Sequence, residues 1–118
     1  MVRTHKDLNV WKKSVDFVTN IYGVTDKFPK AEMFGLTSQI RRAAISIPSN
    51  IAEGATRKHK KEFRQFLYIA LSSAAEVDTQ LIIANKLGFL ESNKKDELQL
   101  ELTSISKMIQ GLIKTIIT

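Results

Sequence analysis

The chain has 118 residues, with 18 Lys and Arg against 12 Asp and Glu, a net charge of +6 and no cysteine. That length fits one domain able to bury a core without covalent staples, and the missing thiols exclude disulfides, thiolate metal sites and cysteine nucleophiles. The opening residues are charged and no run approaches the roughly 18 apolar residues of a membrane span, so a soluble cytoplasmic protein is expected, one whose positive charge favours polyanionic partners.

Residues 1–6 read as a loosely attached tail. From there Leu8, Trp11, Val15, Val18 and Tyr22 recur every three or four residues, which predicts helix 1 over about 8–26, capped by Asp7 or Thr4. It must end ahead of Phe28-Pro29, because a residue before proline is pushed out of the helical region.

Helix 2 is expected over about 31–53, with Leu36, Ile40, Ala43, Ile47 and Ile51 as its inner seam. Gly35 in its first turns costs about 1 kcal/mol relative to Ala. Pro48 removes a backbone donor and clashes with the preceding turn, at roughly 3 kcal/mol, so the helix should be kinked there or divided into two arms. Gly54 is read as a left-handed stop, and Thr56 as the cap of the next helix.

Helix 3, about 59–87, has the most regular period: Phe63, Leu67, Ala70, Ala74, Val77, Leu81, Ala84 and Gly88. A sustained 3.5-residue repeat is the seam of a left-handed bundle. No charge occurs over residues 65–75, and Phe66, Tyr68, Ile69 and Leu71 lie off the seam, so this helix should be buried on more than one side. Gly88 is a fitting stop, with Leu87, Phe89 and Leu90 as a hydrophobic plug. Ser92 or Asn93 should cap helix 4, about 93–117, whose seam is Leu98, Leu102, Ile105, Ile109, Leu112 and Ile116, with Leu100, Met108, Ile113 and Ile117 widening the stripe. The expected fold is all-α, a single antiparallel up-and-down four-helix bundle over residues 1–118.

Catalysis needs convergent groups, and few are available. His5 falls in the tail and His59 in a basic loop, neither with a second ligand at metal spacing. Glu76 and Asp78 are two apart on a helix and point to different sides. Glu53, Glu62 and Glu76 could meet in a bundle core, but the Glu-x-x-His element of di-iron bundles is missing. No catalytic residue, metal or cofactor is expected, and an enzyme is not.

Charge carries the better signal. Arg57, Lys58, Lys60, Lys61 and Arg64 crowd one turn around His59, offset by Glu62. Positive residues at a helix start oppose its dipole by a few tenths of a kcal/mol each, so local stability does not explain the cluster. Arg41 and Arg42 add a second pair, and Lys12-Lys13 and Lys94-Lys95 two more. These are candidate phosphate contacts for RNA or DNA, salt-sensitive and weakly sequence-specific. Phe63, Phe66 and Trp11 read as core rather than as stacking platforms for bases.

Residues 43–52 also lack charge, leaving helices 2 and 3 apolar beyond what one bundle covers. Ala43, Ala44, Ile45, Ile47, Ile51, Tyr68, Leu71 and Ile82 are the expected interface between copies.

The stretch GLTSQIRRAAISIPSNIAEG over residues 35–54, with Phe28, Pro29 and Lys30 before it and residues 57–90 after it, resembles the small four-helix-bundle proteins known as intervening-sequence proteins of 23S ribosomal RNA genes. Distant relatives of that family include the accessory protein of diversity-generating retroelements, a basic pentameric ring that binds a reverse transcriptase and nucleic acid. The resemblance implies a homo-oligomer, a ring pentamer by analogy, with nucleic acid or a polymerase-like protein as partner. It supplies no catalytic residues. Two functions are therefore expected in competition: a non-enzymatic, oligomeric nucleic-acid-binding protein, or a protein–protein scaffold with no direct nucleic-acid role.

Overall fold

The computed structural model describes residues 4–116; residues 1–3 of the expected tail and Ile117 of the expected last helix lie outside them. Four α-helices follow in order: α1 (Asn9–Thr25), α2 (Leu36–Ala55), α3 (Lys60–Lys86) and α4 (Ser92–Thr115). Each packs against the next and α4 closes on α1, giving an up-and-down bundle with extents of 45 × 24 × 19 Å. There is no strand among the described residues.

The seams of α2, α3 and α4 are buried as the periodicity requires, from Ile40 through Ile51, Leu67 through Ala84 and Leu98 through Ile109. Helix α1 differs. Its core face is Val10, Ser14, Phe17, Ile21 and Thr25, while Trp11, Val15 and Val18 are half-buried and Tyr22 is exposed. The hydroxyls make this rotation possible: Ser14 Oγ donates to Val10 O at 2.6 Å and Thr25 Oγ1 to Ile21 O at 2.7 Å. Each polar atom is satisfied inside its own helix, so burying it carries little penalty.

Helix α2 begins at Leu36, not at 31. Lys30–Glu32 forms a separate 3₁₀ turn, and Glu32 folds its Oε1 onto the Leu36 N–H at 3.3 Å. Pro48 does not break the helix, which is continuous through it, and the proline ring is buried.

Gly54 is inside α2 and is no left-handed stop; its role is steric. A Cβ there would stand 2.8 Å from Phe63 Cδ1 and 2.8 Å from Phe66 Cβ, so the glycine lets α3 cross in close contact. Just along the same seam, Ser46 Oγ and Ser73 Oγ hydrogen-bond at 2.8 Å, and Asn50 Nδ2 donates to both Ser46 Oγ and Ser46 O at 2.8 Å. These contacts fix the register of the most closely associated helix pair.

Most of the expected caps are not used. Leu8, His59 and Glu91 occupy the N-cap positions without side-chain caps. Thr56 closes α2, its Oγ1 donating back to Glu53 O at 2.8 Å. Ser92 Oγ instead accepts from Asn85 Nδ2 at 3.2 Å.

Gly88 does stop α3, at φ +81°. Phe89 N–H bonds Ala84 O at 2.9 Å and Gly88 N–H bonds Asn85 O at 3.0 Å, the paired bonds of a Schellman turn. Phe89 and Leu90 pack inward at this corner, and Phe89 meets Phe28 with ring centroids 5.9 Å apart. Leu87, expected in the plug, is exposed, and so is Leu100, expected to widen the stripe of α4 but set on its outer side.

Candidate nucleic-acid interface

The up-and-down path brings the start of α1, the α2–α3 turn and the end of α4 to one end of the bundle. Lys12 and Lys13 stand there in the first turns of α1, Lys58, Lys60, Lys61 and Arg64 at the α2–α3 turn, and Lys107 and Lys114 on α4. The acidic residues on this half are few: Asp7, Asp16, Glu53 and Glu62. The far half carries Asp26, Glu32, Glu76, Asp78, Glu91, Asp96, Glu97 and Glu101 and balances its own cations. Positive charge that looks scattered along the chain is therefore concentrated at one end of the fold.

Within this end the cations differ in freedom. Lys58, Lys60 and Lys61 are exposed and Arg64 is partly so. Arg57 is partly engaged, its Nη2 3.3 Å from Glu53 Oε2 and its guanidinium 4.8 Å above the Phe66 ring. An exposed ion pair of this kind holds a side chain only weakly, so the guanidinium can exchange a carboxylate for a phosphate. His59 is exposed beside it.

The second expected pair divides. Arg41 lies with its guanidinium 4.3 Å from the Tyr22 ring centroid and its Nε donating to Thr25 Oγ1 at 2.8 Å. It ties α2 to α1 and is not free to grip a phosphate. Arg42 is exposed, but about 22 Å along the helix direction from Arg57 at 1.5 Å per residue. Lys94 and Lys95 sit at the other end, 3.1 Å from Glu97 and 3.5 Å from Asp96.

The expected interface residues divide similarly. Ala43, Ala44, Ile47 and Ile51 belong to the chain's own core, at 0–5% exposure, so no second copy can reach them. Leu71 is half-buried against that core. Ile45, Tyr68 and Ile82 are exposed, and so are Ile69 and Ile83, which join them on the surface. Helix α3 is thus buried on its inner side only.

Phe34 has no counterpart among the expected sites. It is 98% exposed, on the connection between α1 and α2 at the end opposite the basic turn. No periodic partner marks it in the sequence, and only its place between Met33 and Gly35 sets it off from a helix.

Glu53 and Glu76 are exposed and Glu62 is half-buried, so this trio does not gather in the core. Asp78 instead accepts from Gln99 Nε2 of α4 at 3.0 Å, and Glu76 from Gln80 Nε2 at 3.4 Å. His5 packs edge-on to Trp11 at 5.1 Å. No group of three potential metal ligands occurs among the described residues.

No curated protein matches the chain. A crystal structure of a protein of unknown function from the S23 ribosomal protein family of Bacteroides thetaiotaomicron is similar, with a TM-score of 0.83 and 25% identity over 89% of this chain and 95% of that one. The stretch that carries Gly54, the Ser46–Asn50 pair and the basic turn lies within the 6–111 span matched by one family model. On that match the chain belongs to the 23S rRNA-intervening sequence protein family.

Proposed function

We propose that this protein is a non-enzymatic, homo-oligomeric nucleic-acid-binding protein that holds RNA, or an RNA–protein particle, by its phosphates. What supports the reading is the gathering of Lys12, Lys13, Lys58, Lys60, Lys61 and Arg64 at one end of the bundle while the other end is nearly balanced. Phosphate contacts by Lys and Arg release counterions and carry little base preference. Flexible lysines suit that task as point charges, and Arg57 adds a planar group already oriented by Phe66. Assembly of several copies would multiply weak single-end contacts into useful avidity.

The test is binding of a labelled, structured RNA measured against salt. Replacing Lys58, Lys60, Lys61 and Arg64 by Gln should weaken binding and flatten the salt dependence by about 3 in log–log slope, at roughly 0.7–0.9 for each phosphate no longer neutralised. Absence of binding by the unaltered protein at low salt would reject the reading.

A second reading, a scaffold for a partner protein, is favoured by one observation: Phe34 stands almost wholly in solvent at the end away from the cations. An exposed aromatic on an ordered turn is the kind of residue that anchors protein contacts. Recovery of one protein partner after nuclease treatment, abolished by Phe34→Ser, would support it.

A further inference from the structure

The large aromatic rings near the basic end are already covered. The His5 ring lies edge-on to Trp11, with centroids 5.1 Å apart. The Arg57 guanidinium sits 4.8 Å above the Phe66 ring, and Phe63 is half-buried against the core beside Gly54. The exposed Phe and Tyr residues among those described are Tyr22, Phe34 and Tyr68. Tyr22 and Phe34 belong to the far half, and Tyr68 is eight residues along α3 from Lys60, about 12 Å down the flank. His59 is the one open ring at the turn itself. Surfaces that take single strands offer several open rings on which successive bases stack. This end has no such row.

The cations instead form two rows. Helix α1 packs on α2 and α4, and α3 packs on the same two, so the bundle is four-sided. The α2–α3 turn carries Lys58, Lys60 and Lys61 along one side of its end. The start of α1 and the end of α4 carry Lys12, Lys13 and Lys114 along the opposite side. All six are exposed, and none is paired with a carboxylate among the described side chains. The bundle measures 24 × 19 Å across. Neighbouring helix axes in a bundle are about 8–10 Å apart, so the two rows flank a gap on the order of 10–20 Å.

A single strand that follows one row leaves the other unused. In a double helix the phosphates of two strands line both edges of each groove. A B-form major groove is about 12 Å wide, and the minor groove of A-form RNA is wide and shallow, recognised through its shape, its phosphates and its 2′-hydroxyls. A broad end with cations along two edges matches such a groove in both shape and charge.

We infer that the basic end recognises double-helical RNA in preference to single strands, the α2–α3 turn holding the phosphates of one strand and the lysines of α1 and α4 those of the other. This rests on the phosphate-binding part of the function proposed above and names the kind of nucleic acid it takes. A duplex presents its phosphates already ordered, whereas a flexible strand loses freedom on binding. At this end no run of stacked bases offsets that loss.

The experiment uses the full chain and compares a labelled RNA duplex of about 20 base pairs with an unstructured uridine strand carrying as many phosphates. At about 50 mM salt the unaltered chain should bind the duplex at least about tenfold more tightly. Replacing Lys12, Lys13 and Lys114 by Gln should weaken duplex binding at least about tenfold and flatten its log–log salt slope by about 2.7, at roughly 0.9 per phosphate released, while changing strand binding less than about threefold. Thermal unfolding of this variant should match that of the unaltered chain, since all three side chains are exposed.

Equal or tighter binding of the strand overturns the duplex preference and leaves phosphate binding in place. Equal weakening of duplex and strand by the α1 and α4 substitutions does the same, because the second row would then have no second strand to hold. Strand binding that is lost with Tyr68→Ala overturns the preference by making the flank of α3 a stacking platform. Binding of neither nucleic acid by the unaltered chain overturns both the preference and the phosphate reading beneath it.

Discussion

Gly54 of α2 lies against Phe66 of α3 so closely that an added Cβ would stand 2.8 Å from Phe66 Cβ. That separation is below any ordinary carbon contact, and Phe66 Cβ is fixed to its backbone, so the two helices would have to part. Overpacking of this kind costs about 1–3 kcal/mol, of which about 1 kcal/mol is returned by removing a helix glycine. Gly54→Ala should therefore lose up to about 2 kcal/mol in denaturant unfolding. Gly23→Ala and Gly111→Ala, where a Cβ would meet no atom within 4 Å, should each gain roughly 0.5–1 kcal/mol in the same measurement. Equal effects at all three positions would contradict the close crossing.

Ser46 and Ser73 test whether the seam between α2 and α3 is held by their shared hydrogen bond. Ser73 is buried, so removing its partner with Ser46→Ala leaves a hydroxyl unsatisfied, at about 1–2 kcal/mol. Removing both hydroxyls should cost less than the sum of the single changes, because neither side is then left unpaired. Strict additivity in the double-mutant cycle would mean that the bond carries no coupling.

Arg41 and Arg42 are neighbours in sequence with different work. Arg41→Ala removes the stacking on Tyr22 and the bond to Thr25, and should lower stability by about 1–2 kcal/mol with little change in RNA affinity. Arg42→Ala should leave stability within about 0.5 kcal/mol, as for an exposed position. Thermal unfolding and an RNA titration on both variants distinguish the roles; loss of RNA binding by a stably folded Arg41→Ala protein would contradict them.

Much of the fold is legible in the chain because three of its four helices bury seams made largely of Ile, Leu, Val and Ala, which periodicity reports directly. Helix α1 misleads because its core face includes Ser14 and Thr25, whose hydroxyls are satisfied by their own helix and so look polar only in sequence. Gly54 misleads in another way: a glycine near a helix end has two physical uses, and the close approach of Phe63 and Phe66 depends on a crossing that one dimension does not display. The start of α2 depends likewise on Glu32 reaching Leu36.

At the candidate interface the basic turn is visible as a run of charge, but its alliance with Lys12, Lys13 and Lys114 follows from topology. Arg41 reads as a free cation in sequence because its partners, Tyr22 and Thr25, lie on another helix. The apolar side chains of residues 43–52 belong mostly to the core for a similar reason: a helix wedged between two others buries more than one stripe.

The most direct measurement compares two proteins of equal net charge. In one, Lys58, Lys60, Lys61 and Arg64 at the basic end are replaced by Gln; in the other, Lys27, Lys30, Lys94 and Lys95 at the opposite end are. If the basic end holds the phosphates, titration with a labelled structured RNA at about 50 mM salt should show a loss of at least about tenfold in the first, at roughly 1.4 kcal/mol per factor of ten, and a change of less than about threefold in the second. Equal weakening of both, or of neither, would contradict a phosphate site at that end.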